Sequence, residues 1–273
     1  MTRPNAARRQ LIALDVDGTV LLEDGTPSPD VVEAVRDAVA AGHVVTLATG
    51  RSWRATAPVL DLLDIAPEFV VSANGATVYR RDDEGYSRFH TETFDPTPAL
   101  SLLREHLPQA HYMVELGDGT RLFTEEMEHW NVDQGYQVSF DDLSAQEVSR
   151  VVVISPEHDE ADFVQLIADI GLNQVSYAIG WTAWLDIAPQ GVDKGTGLAL
   201  VAEQMGQDPA DTIVIGDGRN DLGMFSWARE NGGTAVAMGQ APDEVRSAAS
   251  IVTMDVERGG VAHVIRRIAL GED

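Results

Sequence analysis

"LIALDVDGTVL", Leu11 to Leu21, opens like a buried strand, then sets two carboxylates two residues apart with Gly-Thr directly behind them. The four apolar residues Leu11-Ile12-Ala13-Leu14 predict a short strand covered on both faces. Asp15 then stands at its carboxyl end, with Asp17 just beyond. Along an extended chain, positions two apart point the same way, so both carboxylates face one small volume. Two bare negative charges about 4 Å apart repel by roughly 4 kcal/mol at an effective dielectric near 20. A shared proton, a cation or solvent has to offset that repulsion.

Three further apolar runs share this design. "HVVTLA" ends at Thr49-Gly50-Arg51, "FVVSA" at Asn74-Gly75, and "TIVI" at Gly216-Asp217. Helical patterns lie between several of them. "SPDVVEAVRDAVAAGH" has Ser28 or Asp30 as N-cap, apolar residues at helical spacing and Gly42 as a stop. "GTGLALVAEQMG" and "NDLGMFSWARENG" read the same way. Strands alternating with helices predict an α/β fold with a parallel sheet and right-handed crossovers. Ligands of such sheets bind outside the carboxyl ends of the strands. The four polar endings are therefore expected to converge on one crevice.

From Asp82-Asp83-Glu84-Gly85 to about Ile187-Ala188-Pro189-Gln190-Gly191 the texture changes. Strand-like "SRFHTETF", "TRLFTE", "RVVVISP" and "SYAIGWTAWLDIAP" mix with helical "TPALSLLREHL" and "EADFVQLIADIG". This predicts a second α/β domain, residues 83–189, inserted into a discontinuous core of residues 1–82 and 190–273.

The 273 residues are 44% hydrophobic, enough for a substantial core. There is no cysteine, which excludes disulfides, thiolate metal sites and cysteine catalysis. No apolar run reaches the roughly 18 residues of a membrane span, and none reads as a signal peptide. A soluble, cytoplasmic protein is expected. The net charge of −25 argues against nucleic acid and anionic membrane as partners, but not against a small anion, because a local cation reverses the field inside a pocket. Among the 19 basic residues, Lys194 in "GVDKGTG" is the only lysine. Its compact ammonium has three rotatable donors, which arginine's planar fork does not imitate.

Taken in order, Asp15-Val16-Asp17-Gly18-Thr19, Thr49-Gly50-Arg51, Lys194 and Gly216-Asp217-Gly218-Arg219-Asn220-Asp221 resemble the motifs of the haloacid dehalogenase superfamily of phosphotransferases. The spelling of "DVDGTV", "ATGR", "SANGA" and "GDGRND" looks most like its Cof-type phosphatases. The resemblance spans the whole chain. It implies a Rossmann-like three-layer core with a large α/β cap inserted after the second motif. It also implies a Mg²⁺-dependent phosphatase acting on a small phosphorylated metabolite, most readily a sugar phosphate, as monomer or homodimer.

The resemblance assigns roles residue by residue. Asp15 resembles the nucleophile, which splits a very slow hydrolysis into two steps through an aspartyl-phosphate. Asp17 resembles the general acid/base. Mg²⁺ ligands implied are the Asp15 carboxylate, the Asp17 carbonyl and Asp217, with Asp221 in support; the cation would also answer the repulsion between the first two carboxylates. Thr49 and Gly50 are implied as phosphate donors, Lys194 as the partner of nucleophile and phosphate, and Asn220 as a phosphate or metal-shell contact. Arg51 reads equally as a substrate contact or a structural ion pair, and Asn74 as a site residue or a turn. In the insertion, His111, Trp130, Trp181 and Trp184 are candidates for a substrate pocket, though core packing is the commoner fate of such residues.

Asp17 argues against the dehalogenase branch, which lacks this acid/base. A phosphomannomutase-like mutase uses the same fold and motifs, and a non-catalytic phosphometabolite sensor would predict loss of a catalytic residue. None of the expected ones is missing.

Overall fold

The computed structural model describes residues 9–125, 135–157, 165, 169–170, 172, 175–179 and 184–271. The chain divides into two compact units, Met1–Ser87 with Lys194–Asp273, and Arg88–Asp193. The boundaries expected from sequence fall a few residues earlier at each junction.

The first unit is built on a five-stranded parallel sheet. In it β1 (Leu11–Leu14) has the edge strand β2 (Val44–Leu47) on one side. On the other side follow β12 (Thr212–Gly216), β13 (Thr234–Ala237) and β14 (Ile251–Val252). Every residue of β1 is completely buried, as a strand apolar on both faces requires. Ile12 and Leu14 pack with Leu47 and Ile215 against Val31, Ala34, Val35 and Ala38 of α1 (Val31–Ala40) and Val59, Leu60 and Leu63 of α2 (Trp53–Leu63). Leu11 and Ala13 face the other way, toward Leu198 and Val201 of α4 (Lys194–Met205) and Phe225 of α5 (Leu222–Glu230). Helix, sheet and helix thus form the three layers of a Rossmann-like α/β fold.

Register fixes the site. Leu14 stands level with Leu47 and with Ile215, so Asp15, Ala48-Thr49 and Gly216-Asp217 leave the sheet along one edge.

Two expectations change. β3 (Phe69–Ser72, from "FVVSA") does not run as a further strand of the parallel sheet. It pairs antiparallel with β4 (Thr77–Asp82) in a three-stranded sheet completed by β5 (Gly85–Thr91), and lies beside β2 through a parallel bridge between Ala48 and Val71, with the Thr49 amide donating to the Val71 carbonyl at 3.1 Å and the Thr46 hydroxyl to the Phe69 carbonyl at 2.5 Å. The tight turn at Ala73-Asn74-Gly75 sends the chain straight back, which makes β4 the antiparallel partner of β3. The cap of α1 also differs. Asp30 occupies the N-cap position, in the left-handed region (φ 58°), and its side chain caps nothing; instead it accepts from Arg266 at 3.1 Å.

The second unit carries a six-stranded mixed sheet. Its order is β10 (Val175–Ile179), β11 (Trp184–Pro189), β9 (Val148–Ile154), β6 (His111–Leu116), β7 (Arg121–Phe123) and β8 (Gly135–Gln137). Ala99, Leu100 and Leu103 of α3 (Thr97–His106) join one face of it, with Tyr112, Val114, Val151, Val153 and Leu185. His111 Nε2 lies 3.0 Å from a Glu125 carboxylate oxygen. Trp130, Trp181 and most of "EADFVQLIADIG" lie outside the described residues, and Trp184 is described only as the first residue of β11. Among the described residues no helix is long and apolar enough to cross a membrane.

Candidate active site

Four groups meet at the carboxyl edge of the parallel sheet. Lys194 Nζ donates to Asp15 Oδ1 at 2.7 Å and to Asp221 Oδ1 at 2.6 Å. Asp221 Oδ2 accepts from the backbone amides of Asp217 and Gly218, both at 2.8 Å. Asp217 Oδ1 accepts from the Thr19 hydroxyl at 3.3 Å. Asp15, Lys194, Asp217 and Asp221 are all buried. Lys194 opens helix α4, where the helix dipole disfavours a cation. Its position is therefore explained by the two carboxylates and not by the helix.

The turn after Asp15 lets the chains approach. Gly18 has φ +72°, and a Cβ there would fall 2.2 Å from Asp217 Oδ2, so only glycine serves both the turn and the contact. Thr49 is fully buried, and its hydroxyl accepts from the Arg51 amide at 3.1 Å, leaving the hydroxyl proton to donate. Asn220 Nδ2 donates to Asn74 Oδ1 at 3.1 Å, beside Gly50, whose Cβ would lie 3.0 Å from that same oxygen.

A model of the haloacid dehalogenase-like hydrolase family matches residues 12–265. The chain belongs to that family. A 5-amino-6-(5-phospho-D-ribitylamino)uracil phosphatase of Bacillus subtilis is 27% identical over 266 residues, covering 94% of this chain and 96% of that protein. The fold matches a haloacid dehalogenase-like hydrolase structure from B. subtilis at TM-score 0.77, with 23% identity over 95% of this chain and 99% of that one. A structure described as a subclass IIB sugar phosphatase of the same superfamily also gives 0.77, at 19% identity, with 96% and 99% covered.

The electrostatics of this haloacid dehalogenase-like site are those of a cation site. One carboxylate oxygen from each of Asp15, Asp217 and Asp221 lies within 4.8 Å of the others. Fully ionised, three carboxylates against one ammonium would leave two negative charges in a buried volume. Burial pushes the Asp15 carboxyl well above its usual range; Lys194 pulls it back, and Asp221, Asp217 and Asp17 raise it again. Burial, with Asp221 beside it, pushes Asp217 up to about 7 against Lys194 and the hydrogen bonds from Thr19 and Gln240. For Lys194 burial acts downward, but Asp15 and Asp221 override it and raise the ammonium. Hard carboxylate oxygens with a surplus of two charges suit Mg²⁺. Asp15 and Asp217 could hold it directly. Both Asp221 oxygens already accept hydrogen bonds, which fits Asp221 to hold Lys194 and the Asp217 loop.

Asp17 is placed differently. Its side chain is 59% exposed and forms a two-pronged ion pair with Arg51, with Nε to Oδ2 at 2.9 Å and Nη2 to Oδ1 at 2.5 Å. That hydrogen bond, together with the charge of Asp17, raises the Arg51 guanidinium against burial. Of the two readings of Arg51, the ion pair is the one seen here.

Sequence reasoning missed two contributors. Thr19 lies inside the motif "DVDGT", so its hydroxyl was available to be noticed. Gln240 carries no such signal. Its side chain bonds Asp217, donates to the Gly18 carbonyl at 2.6 Å and accepts from the Val256 amide at 2.9 Å, tying the acidic loop to the turn after Asp15.

Proposed function

We propose that the chain is a Mg²⁺-dependent phosphatase that hydrolyses a small phosphorylated metabolite, a sugar or polyol phosphate, through an aspartyl-phosphate on Asp15. The observation that carries this reading is the buried Lys194 ammonium shared between Asp15 and Asp221 with Asp217 alongside. Family membership supports it, as does a relative whose name places its phosphate on a ribityl chain.

In this reading Asp15, the Asp17 carbonyl and Asp217 would hold the Mg²⁺, which would supply charge neutralisation for the transferring phosphoryl group. Lys194 holds Asp15 in place and faces the same phosphoryl charge. Thr49 donates its hydroxyl proton to a phosphate oxygen, with the Gly50 amide and Asn220 beside it. An Asp15 oxygen attacks phosphorus as the ester P–O bond breaks, and protonated Asp17 gives its proton to the leaving alkoxide. Asp17, now a carboxylate, takes a proton from water; the water oxygen attacks phosphorus and the acyl-phosphate P–O bond breaks, which restores Asp15. Asp17 has to leave Arg51 for this. An exposed pair of that kind is worth only about 0–1 kcal/mol, a small barrier.

The test is a phosphate-release screen across phosphorylated sugars, polyols, nucleotides and pyridoxal phosphate with Mg²⁺, run beside Asp15→Asn. Release by the wild type and none by a folded Asp15→Asn is expected. Turnover retained in Asp15→Asn would overturn the assignment. Transfer of the phosphoryl group to a second sugar hydroxyl, and not to water, would replace the hydrolase with a mutase.

A further inference from the structure

Three consecutive residues after β3 have positive φ: Ala73 (50°), Asn74 (50°) and Gly75 (97°). Two of them are not glycine, and left-handed backbone is disfavoured for a residue with a Cβ, least of all for asparagine. Such strain persists only where surrounding contacts impose it, and it concentrates at functional sites. The contacts here are specific. The Ala73 amide donates to the Arg51 carbonyl at 2.9 Å and the Asn74 amide to the Thr49 carbonyl at 3.0 Å. The Asn74 carboxamide is buried against Gly50 and accepts from Asn220 Nδ2. Gly75 backs onto the first turn of α4, where a Cβ at Gly197 would lie 3.2 Å from Gly75 Cα and 2.6 Å from Val71 Cγ1.

One strained turn therefore touches the Thr49-Gly50 loop, Asn220 and the helix turn that begins with Lys194. We infer that the left-handed turn Ala73-Asn74-Gly75 sets the phosphate-binding groups relative to one another, with Asn74 as a positioning residue that acts through Asn220. Left-handed backbone at Asn74 aims its carboxamide back at Gly50 and Asn220, whereas an extended residue would aim it elsewhere. The inference rests on the phosphatase reading for what Asn220 binds, but the coupling between the two amides can be read without turnover.

The experiment compares wild type with Asn74→Gly, Asn74→Ala, Asn220→Ala and Asn74→Gly/Asn220→Ala. Glycine and alanine delete the same amide, but glycine relaxes the left-handed backbone while alanine keeps it strained. Thermal melting is expected to place the glycine variant above the alanine one. Both should lose kcat/KM by a similar factor, about tenfold for one hydrogen bond to a site group. The double variant should be no worse than Asn220→Ala. Activity that follows melting temperature, losses that multiply, or a glycine variant within about twofold of wild type would each overturn the inference. Should the wild type release no phosphate from any substrate, the phosphatase reading fails. The same comparison is then made on orthovanadate affinity with Mg²⁺, by calorimetry. Weakening by Asn74→Gly that does not add to that of Asn220→Ala upholds the positioning role, and unchanged affinity refutes it.

Discussion

Lys194 Nζ lies 2.6 Å from Asp221 Oδ1, and neither side chain has any exposed surface. With Asp15 at 2.7 Å on the same ammonium, one cation holds two buried carboxylates while a third, Asp217, stands alongside. Removing one partner of a buried pair leaves an uncompensated charge, which destabilises by about 3–5 kcal/mol.

Lys194→Met is therefore expected to lose about that much stability at pH 8 in urea unfolding and to release no phosphate. The loss should shrink toward pH 5. Asp15 and Asp217 already hold their protons above the ordinary carboxylate range because of burial, and without the ammonium they protonate more readily in the folded state. Lys194→Arg is expected to restore charge but not activity, since a planar fork does not replace a compact ammonium between two oxygens. A stable, active Lys194→Met at pH 8 would remove Lys194 from the site.

The parts of this site that were legible in the sequence carry their chemistry in residue type. Asp15 and Asp17 stand at the end of an all-apolar strand, and Lys194 stands out as the single lysine. Parallel register then carries Thr49 and Asp217 to the same edge. What was not legible depends on geometry that no pattern encodes. "FVVSA" reads as a strand, but nothing in it says that a left-handed turn follows and gives it an antiparallel neighbour. Asp30 has the residue type of a cap, yet its own backbone is left-handed and its carboxylate goes to Arg266. Gln240 reaches Gly18 from 222 positions away in the chain.

Protons should accompany the metal. Burial, with Asp221 beside it, raises the Asp217 carboxyl to about 7 in the folded chain, above the ordinary carboxylate range. Its contribution to the stability of the metal-free protein is fully present below about pH 4 and is lost as pH rises through about 7. A divalent cation needs the ionised form. Calorimetry in buffers of different ionisation enthalpy should find about one proton or more released per Mg²⁺ at pH 6, and fewer at pH 8.5. The gain in melting temperature on adding Mg²⁺ should grow over the same range. Binding with no proton release at pH 6 would show that Asp15 and Asp217 do not hold the ion.

Arg51 offers a contrast, because its pair with Asp17 is partly solvated, at 28% and 59% side-chain exposure. Such pairs contribute about 0–1 kcal/mol. Arg51→Ala should thus shift unfolding by no more than about 1 kcal/mol and leave kcat within about threefold, since the pair must open before Asp17 can act. Loss of kcat/KM by about a hundredfold (nearly 3 kcal/mol) with the fold intact would instead place Arg51 on the substrate.

A second buried pair lies in the other unit. On β9, Arg150 Nε and Nη2 meet the Asp186 carboxylate of β11 at 2.6 and 2.8 Å, with side chains only 6% and 10% exposed. Burial acts to lower the Arg150 guanidinium, but Asp186 and then Glu115 raise it, so the cation is retained by its neighbours. Arg150→Met takes the guanidinium away from the buried Asp186 carboxylate and should destabilise by about 3–5 kcal/mol, whereas Arg150→Met/Asp186→Leu should recover most of that loss, because two apolar side chains replace a buried charged pair. Hydrogen exchange reads this directly. Amides of β9 and β11 should lose protection in the single variant and regain it in the double, while those of β1 and β12 in the parallel sheet stay protected. A double variant no more stable than the single one would mean that the pair holds the sheet through geometry and not through compensated charge.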